Sequence, residues 1–534
     1  MPRTRRAGKG NAATAHKSAA GARFDSKTRI LDRAILLARQ GRYSEAETDL
    51  REVLRIRPDD VEVLIELGAA VWRQRRWAEA EAIYLRASEA KPDDFRVLNN
   101  LGLALYEQRR LDEAGDCYRR ALRIQPDTFN SQMNLGIVLS DQGKFDEAME
   151  WFLSAQQLQP NSIEILQNLA MNLTRQGRSP EAIAYYEQGL RLQPEHFETH
   201  VNLAYALLCG GDYERGWREY EWRWKSDKHP GYRINRPLWN GEDIHDRTIL
   251  LHTEQGFGDN LQFIRFAPMV KKRAGLVLAA CKAPLLKLIA RCNGVDMAFE
   301  GGSYQPSCDV HAPLMSLPTI LGITLDTLPA QVPYLITDKM LVDHWGSELA
   351  KATAATCNED AVATDSSRLA QSAKPFRIGI AWQGNPVHSN DRWRSFRLAN
   401  FASIAELPGV RLISLQTDHG LDQLKAADRR FPVIEIPSRR CQDFMETAAI
   451  MTHLDLVITP DTALAHLAGA LGLRVWAGLC TVDEWRWLAG REDTPWYPTM
   501  RLFRQTTTGD WDGVFRRMTD ALKEELQKIA AAPL

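Results

Sequence analysis

Residues 93–126 read DDFRVLNNLGLALYEQRRLDEAGDCYRRALRIQP. Two helical runs carry small residues, Gly102 and Ala114 among them, and Pro126 closes the segment. The same pattern recurs outward in both directions. Prolines fall at 58, 92, 126, 160 and 194, each step 34 residues. Small residues keep the step in one series, Ala34, Gly68, Gly102, Gly136, Ala170 and Ala204. A second series is Ala46, Ala80, Ala114, Ala148, Ala182 and Gly216, and leucines recur at 67, 101, 135, 169 and 203. Small side chains let two helices approach closely, and proline stops the second helix before the next unit begins. One such unit cannot bury its own apolar face, so the units must stack.

A unit of this length and punctuation resembles the tetratricopeptide repeat. The resemblance implies an α-solenoid over 27–236: five full repeats across 27–196 and a degenerate sixth from 197. The sixth lacks its proline and carries Trp217, Trp222 and Trp224. Large aromatics are costly to leave exposed, so these are expected to dock the solenoid end on a following domain. A ladder of amides, Asn100, Asn134, Asn168 and Asn202, precedes the small residue of the first helix in successive repeats. An amide both donates and accepts, so such a row pairs with an extended polypeptide without reading its sequence. It resembles the asparagine ladder of the O-GlcNAc transferase repeats and is the expected acceptor-binding surface; Asn-Leu-Gly is also common in generic repeats.

After about residue 236 the period changes. Candidate strands are Thr248–Thr253, Leu276–Ala280, Arg377–Trp382, Val410–Gln416, Val433–Pro437, Leu454–Thr459 and Arg474–Leu479. Strands alternating with helical stretches predict parallel α/β units. Two blocks are expected, 237–349 and 376–534. Between them, 350–375 holds eight Ala and six Ser or Thr, a linker composition. Two α/β blocks so joined leave a cleft, where ligands commonly bind.

Each block carries one motif. In the first, ILLHTEQGFGDNLQF (249–263) places a strand, then Gly256 and Gly258 in a turn, then a helix near Asp259. The glycines permit close approach of an acceptor to the backbone. Asp259 is placed to take a proton from a hydroxyl, or to serve as a helix cap. The third glycine of a dinucleotide fingerprint is absent, which disfavours NAD. In the second block, LDLVITPDTALAHLAGALGLRVWAGL (454–479) reads strand, turn, helix, strand. Asp461 and Thr462 stand at the helix start, where free N–H groups suit a diphosphate, and His466 follows one turn deeper.

The segments DLVITPDTALAHLAGALG and EQGFGD resemble the corresponding segments of glycosyltransferase family 9, the lipopolysaccharide heptosyltransferases. The layout as a whole is similar to bacterial repeat-bearing glycosyltransferases. The resemblance implies a GT-B fold of two Rossmann-like domains with a cleft. The acceptor lies at the first (237–349) and the nucleotide sugar in the second (376–534). It implies Asp259 as base, Asp461 toward donor hydroxyls and Thr462 toward the phosphates; His466 is added here for its position. Heptosyltransferases use a lysine near the start of the second domain, whereas this chain has GIAWQGNPVHSNDRWRSF (379–396). Arg392 and Arg394 are expected to supply the cation, with a geometry suited to phosphate, and Gly384 and Asn385 to line the donor site. The donor is therefore expected to differ from heptose nucleotide.

The remaining sequence narrows the classes. Lys plus Arg is 67 and Asp plus Glu 68, so no chain-wide basic surface for nucleic acid is implied. Apolar runs are too short to span a membrane. Eight cysteines without a C-x-x-C pair fit a reducing cytoplasm. Residues 1–26 form a basic tail expected to be disordered. Asp510 and Asp512 form a D-x-D at a helix start, where acids favour the dipole over a metal role, so no metal or other cofactor is expected. The expected activity is metal-independent, inverting transfer from a nucleotide sugar to Ser or Thr of a protein held by the repeats. The alternatives are a non-catalytic repeat scaffold with a degenerate transferase domain, and a lipopolysaccharide or polysaccharide glycosyltransferase.

Overall fold

The computed structural model describes residues 30–226, 234–302, 306–360, 375–387, 391–427, 431–435, 443–482 and 484–531. The basic tail 1–26 lies outside them. Contacts divide the chain into two compact units, Met1–Asn172 and Leu173–Leu534, and the division falls in the last turn of α9.

The first unit is built of helices α1 (30–39), α2 (Tyr43–Leu54), α3 (Val61–Arg73), α4 (Trp77–Ala90), α5 (Phe95–Glu107), α6 (Leu111–Ile124), α7 (Phe129–Asp141), α8 (Phe145–Leu158) and most of α9 (Ile163–Arg175). Pro58, Pro92, Pro126 and Pro160 all fall in the loops that end one helix pair and open the next. The glycine series has a sharper cause than helix approach alone. A Cβ on Gly68, Gly102 or Gly136 would stand 2.4, 2.7 or 2.5 Å from the ring of Tyr84, Tyr118 or Phe152. Each glycine thus seats an aromatic ring from the paired helix, sixteen positions on. These rings are at most 2 % exposed. Asn100, Asn134 and Asn168 are half-buried. The Asn134 amide donates to Asn99 Oδ1 at 3.2 Å, so part of the ladder is already engaged within the repeats.

The second unit begins with the end of α9, then α10 (Ser179–Leu192), α11 (Phe197–Cys209), α12 (Tyr213–Tyr220) and a 3-10 turn, Glu221–Lys225. Among the described residues ten strands follow: β1 (Ile244–His252), β2 (Ala274–Cys281), β3 (Met297–Glu300), β4 (Val310–Pro313), β5 (Phe376–Ile380), β6 (Val410–Ser414), β7 (Val433–Ile434), β8 (Leu456–Pro460), β9 (Val475–Leu479) and β10 (Met500–Arg504). They form two sheets, ordered β3-β2-β1-β4 and β10-β9-β8-β5-β6-β7, with every pairing parallel. The helices that matter below are α13 (Phe257–Phe263), α14 (Lys339–Asp360), α15 (Phe444–Met451), α16 (Ala463–Ala470) and α17 (Trp511–Ala531). β8 and β9 are buried at every residue, as parallel strands covered on both faces must be.

Seven strands fall where the alternation predicts them, and three short ones, β3, β4 and β10, lie outside those expectations. All three are edge strands. α14 runs to Asp360, well into the stretch 350–375 expected as linker; residues 361–374 lie outside the described residues. In the Asp510-Trp511-Asp512 segment, Asp510 accepts from Gly513 N at 2.8 Å and Asp512 from Asn400 Nδ2 at 2.8 Å.

The last helix pair packs on the α/β core, as its tryptophans suggest. Trp217 is 1 % exposed and makes edge contacts with Phe263, Trp485 and Trp496 at centroid distances of 5.7, 5.1 and 6.5 Å. Trp496 Nε1 donates to Tyr213 Oη at 2.9 Å. Trp222 instead stacks on His200 of α11 at 3.6 Å. Arg265 ties the two sheets, donating to Trp496 O at 2.8 Å and Tyr334 Oη at 3.0 Å.

Candidate active site

Strand order reverses between β1 and β4 in one sheet and between β5 and β8 in the other. Parallel strands leave a crevice beyond their carboxyl ends at such a reversal. The loops that leave β1, β5, β8, β9 and β10 meet there around one cavity of about 740 Å³. Gln255 to Asp259 come from the first sheet. Gly384, Asn385 and Arg394 follow β5, while Asp461, Thr462, Ala463 and His466 follow β8. Leu479, Cys480, Val482, Glu484 to Trp487 and Arg504 complete the wall from β9 and β10.

Gly256 is the N-cap of α13 and Asp259 its third residue, so Asp259 is not the cap itself. Asp259 Oδ2 accepts from Gly256 N at 2.9 Å, and Oδ1 pairs with the guanidinium of Arg486. Arg486 also pairs with Glu484 and donates from Nε to Gln262 Oε1 at 3.0 Å. Its guanidinium lies 4.0 Å from the Trp485 ring centroid. One arginine therefore bridges a carboxylate of each sheet. Burial works against its charge, but Glu484, Asp259 and Asp461 hold its pKa above the ordinary value. Burial pushes the Glu484 carboxyl up to about 7; Arg486 pulls it down, and Asp461 and Asp259 push it up.

Thr462 occupies the cap position of α16 but its hydroxyl makes no capping bond. It lies 3.2 Å from Thr459 Oγ1 instead. Thr462 and Ala463, where α16 starts without a side-chain cap, both line the cavity. His466 is buried, with Nδ1 3.0 Å from Tyr497 Oη and its ring stacked on Trp487. Burial, with Arg486, Arg265 and Arg394 nearby, lowers its pKa well below the ordinary imidazole value and favours the neutral ring. Gly258 serves a packing need: a Cβ there would stand 2.8 Å from His466 Cδ2. Its backbone closes on the second domain at that point. Gly384 is similarly confined, with a would-be Cβ 2.4 Å from Asp391 Oδ1, and its N–H donates to Ser395 Oγ at 2.9 Å. Asn385 Oδ1 accepts from Val387 N at 3.0 Å and so braces its own turn. Arg394 is on the cavity wall, whereas Arg392 lies over the Trp393 ring at 4.8 Å and is not among the lining residues.

The end of the repeats adds a wall of its own. Arg175, Tyr205 and Tyr220 line the same cavity. Tyr220 Oη accepts from Gln255 Nε2 at 2.7 Å. Asn202 is half-buried on α11, one turn before Tyr205. Asn100, Asn134 and Asn168 belong to the first unit. The two motifs read from the sequence thus meet at one cavity, together with Gly384, Asn385 and Arg394. Residues the motif reading did not reach are Glu484, Arg486, Arg504, Tyr205 and Tyr220. For the first two a signal existed: Glu-Trp-Arg-Trp at 484–487 repeats the tetrapeptide at 221–224.

Models described as tetratricopeptide repeat match residues 31–95, 71–128 and 127–195. Protein FlbA of Caulobacter vibrioides is 25 % identical over 347 residues, 60 % of this chain and 54 % of the relative. The chain spans about half the length of that curated relative. Among solved structures, the thermophilic repeat protein TTC0263 of Thermus thermophilus is 24 % identical, covering 34 % of this chain and 99 % of its own, with a TM-score of 0.32. Pseudomonas aeruginosa pilF is 21 % identical, covering 38 % and 100 %, with a TM-score of 0.34. Among the described residues, no helix is long and apolar enough to cross a membrane. The N-terminal half is a tetratricopeptide solenoid, an architecture that typically binds peptides or proteins, and the region after it holds two parallel α/β sheets.

Proposed function

We propose that the chain is a metal-independent glycosyltransferase of GT-B type, moving a sugar from a nucleotide sugar to a hydroxyl of a protein acceptor gathered by the repeats. The observation that carries this reading is the shared cavity at the strand-order reversals of both sheets. It is lined by Asp259 on one side and by Asp461, Thr462 and Arg394 on the other. The donor's diphosphate belongs at the α16 N-terminus, which carries no side-chain cap and where Thr462 and Ala463 line the cavity. Arg394 and Arg504, rather than Arg392, stand on that wall as cations. Helix dipole and guanidinium charge together stabilise a leaving diphosphate. Besides Asp461, the carboxylates Asp259 and Glu484 line the cavity where an attacking hydroxyl would lie. The acceptor side is open to the repeat end through Tyr205 and Tyr220.

The test is calorimetric titration of the full chain with a panel of nucleoside diphosphates and nucleotide sugars, followed by assay of sugar release or transfer. Saturable binding of one nucleotide, and consumption of its sugar form, is expected. A protein that binds none of them is a repeat scaffold with an idle α/β half.

A further inference from the structure

We propose that Glu484 takes the proton of the acceptor hydroxyl, and that Asp259 and Arg486 are the positioning pair beside it. The assignment rests on the transferase reading above. In the step, the acceptor oxygen bonds to the anomeric carbon. The bond from that carbon to the diphosphate oxygen breaks, and its electron pair leaves on the diphosphate. The hydroxyl proton moves to the Glu484 carboxylate.

Geometry separates the two acids. Asp259 holds structure with both oxygens: Oδ2 anchors the first turn of α13 through Gly256 N, and Oδ1 joins the two sheets through Arg486. Proton uptake there would break the link between the domains. Among the described residues, the side-chain hydrogen bonds of Glu484 run only to Arg486, two residues away, from its backbone N at 2.9 Å and from its guanidinium. Proton uptake there leaves the Asp259–Arg486 link in place. The groups facing Glu484 are Arg486 from its own loop, Asp461 after β8, Asp259 on α13, and the phenols of Tyr205 and Tyr213 on α11 and α12. Two other carboxylates thus share its one guanidinium. A base works best when its pKa lies near the operating pH, and burial with those neighbours brings Glu484 to about 7.

The experiment is the pH dependence of turnover for wild type, Glu484→Gln and Asp259→Asn, with nucleotide affinity measured on each by titration. A base acts when deprotonated, so wild-type turnover should fall as pH drops through about 7. Glu484→Gln should lower turnover by about 100- to 10,000-fold and erase that acid limb, with nucleotide affinity kept. Asp259→Asn removes a charge that raises Glu484, so its acid limb should persist and move to lower pH. If Glu484→Gln fails to fold, Glu484→Asp keeps a carboxyl and should retain a limb at reduced rate. As a readout without substrate, infrared difference spectra should show a carboxylic acid band titrating near pH 7 in wild type and missing in Glu484→Gln. An acid limb that survives in Glu484→Gln and vanishes in Asp259→Asn overturns the assignment alone. A wild type that shows the band but neither binds nor consumes any nucleotide sugar overturns the transferase reading and the assignment with it.

Discussion

The tetrapeptide Glu-Trp-Arg-Trp is used twice, at the end of the repeats and at the cavity wall, and the two copies do different work. Arg223 is sealed in. Its Nε and Nη2 donate to Glu254 at 3.0 and 3.1 Å, and Nη2 also donates to Ser316 Oγ at 2.7 Å. The Arg223 and Glu254 side chains are only 4 % and 1 % exposed. Glu221 holds the same guanidinium at 2.8 Å. Arg486 is gripped by two carboxylates as well, but it, Asp259 and Glu484 keep 15 %, 13 % and 19 % of their side chains exposed at a cavity. The same local chemistry therefore makes a rivet where water is excluded and a partly open cluster where a cavity reaches it. Arg223 secures the loop that carries the first motif, since Glu254 directly precedes Gln255 on the cavity wall.

Substitution of each arginine should separate the two roles. Arg223→Met strips a buried carboxylate of its counterion, and such breakage costs about 3–5 kcal/mol. Chemical unfolding of the full chain should show that loss. Arg486→Met leaves two acids that can take up water or a proton from the cavity, so the expected loss is smaller, about 1–3 kcal/mol. Equal losses in the two variants would break the comparison. The smallest effect is expected in the first unit. Replacing Asn134 and Asn168 by Ala removes the Asn134–Asn99 hydrogen bond and should cost about 0.5–1.5 kcal/mol, the scale of one side-chain hydrogen bond. If the amides hold a polypeptide, acceptor capture weakens while nucleotide affinity stays; unchanged acceptor capture contradicts that role.

The repeats were legible because their constraint is written at fixed spacing. The glycine or alanine of one helix answers an aromatic or small residue of its partner, and proline closes each unit. Central strands were legible for a related reason: burial on both faces leaves a near-continuous apolar run such as LVITP (456–460). Edge strands β3 and β4 have only four residues each, and β10 alternates with exposed Arg501, so no run marks them. The two motif segments announced the cavity, yet the purpose of Gly258 did not show in the sequence. Its constraint is His466, far away along the chain. Glu484 and Arg486 were hidden because their meaning depends on Asp259 coming from another sheet.

The central claim is that a diphosphate binds at the α16 N-terminus, and Thr462→Val tests it most directly. The substitution preserves shape and removes a hydroxyl that makes no capping bond, so the helix should be unaffected. Titration with the nucleoside diphosphate that binds wild type should show affinity weakened by about 1–3 kcal/mol, the scale of a lost hydrogen bond to a charged group. Affinity equal to wild type would place the phosphates elsewhere and contradict the account.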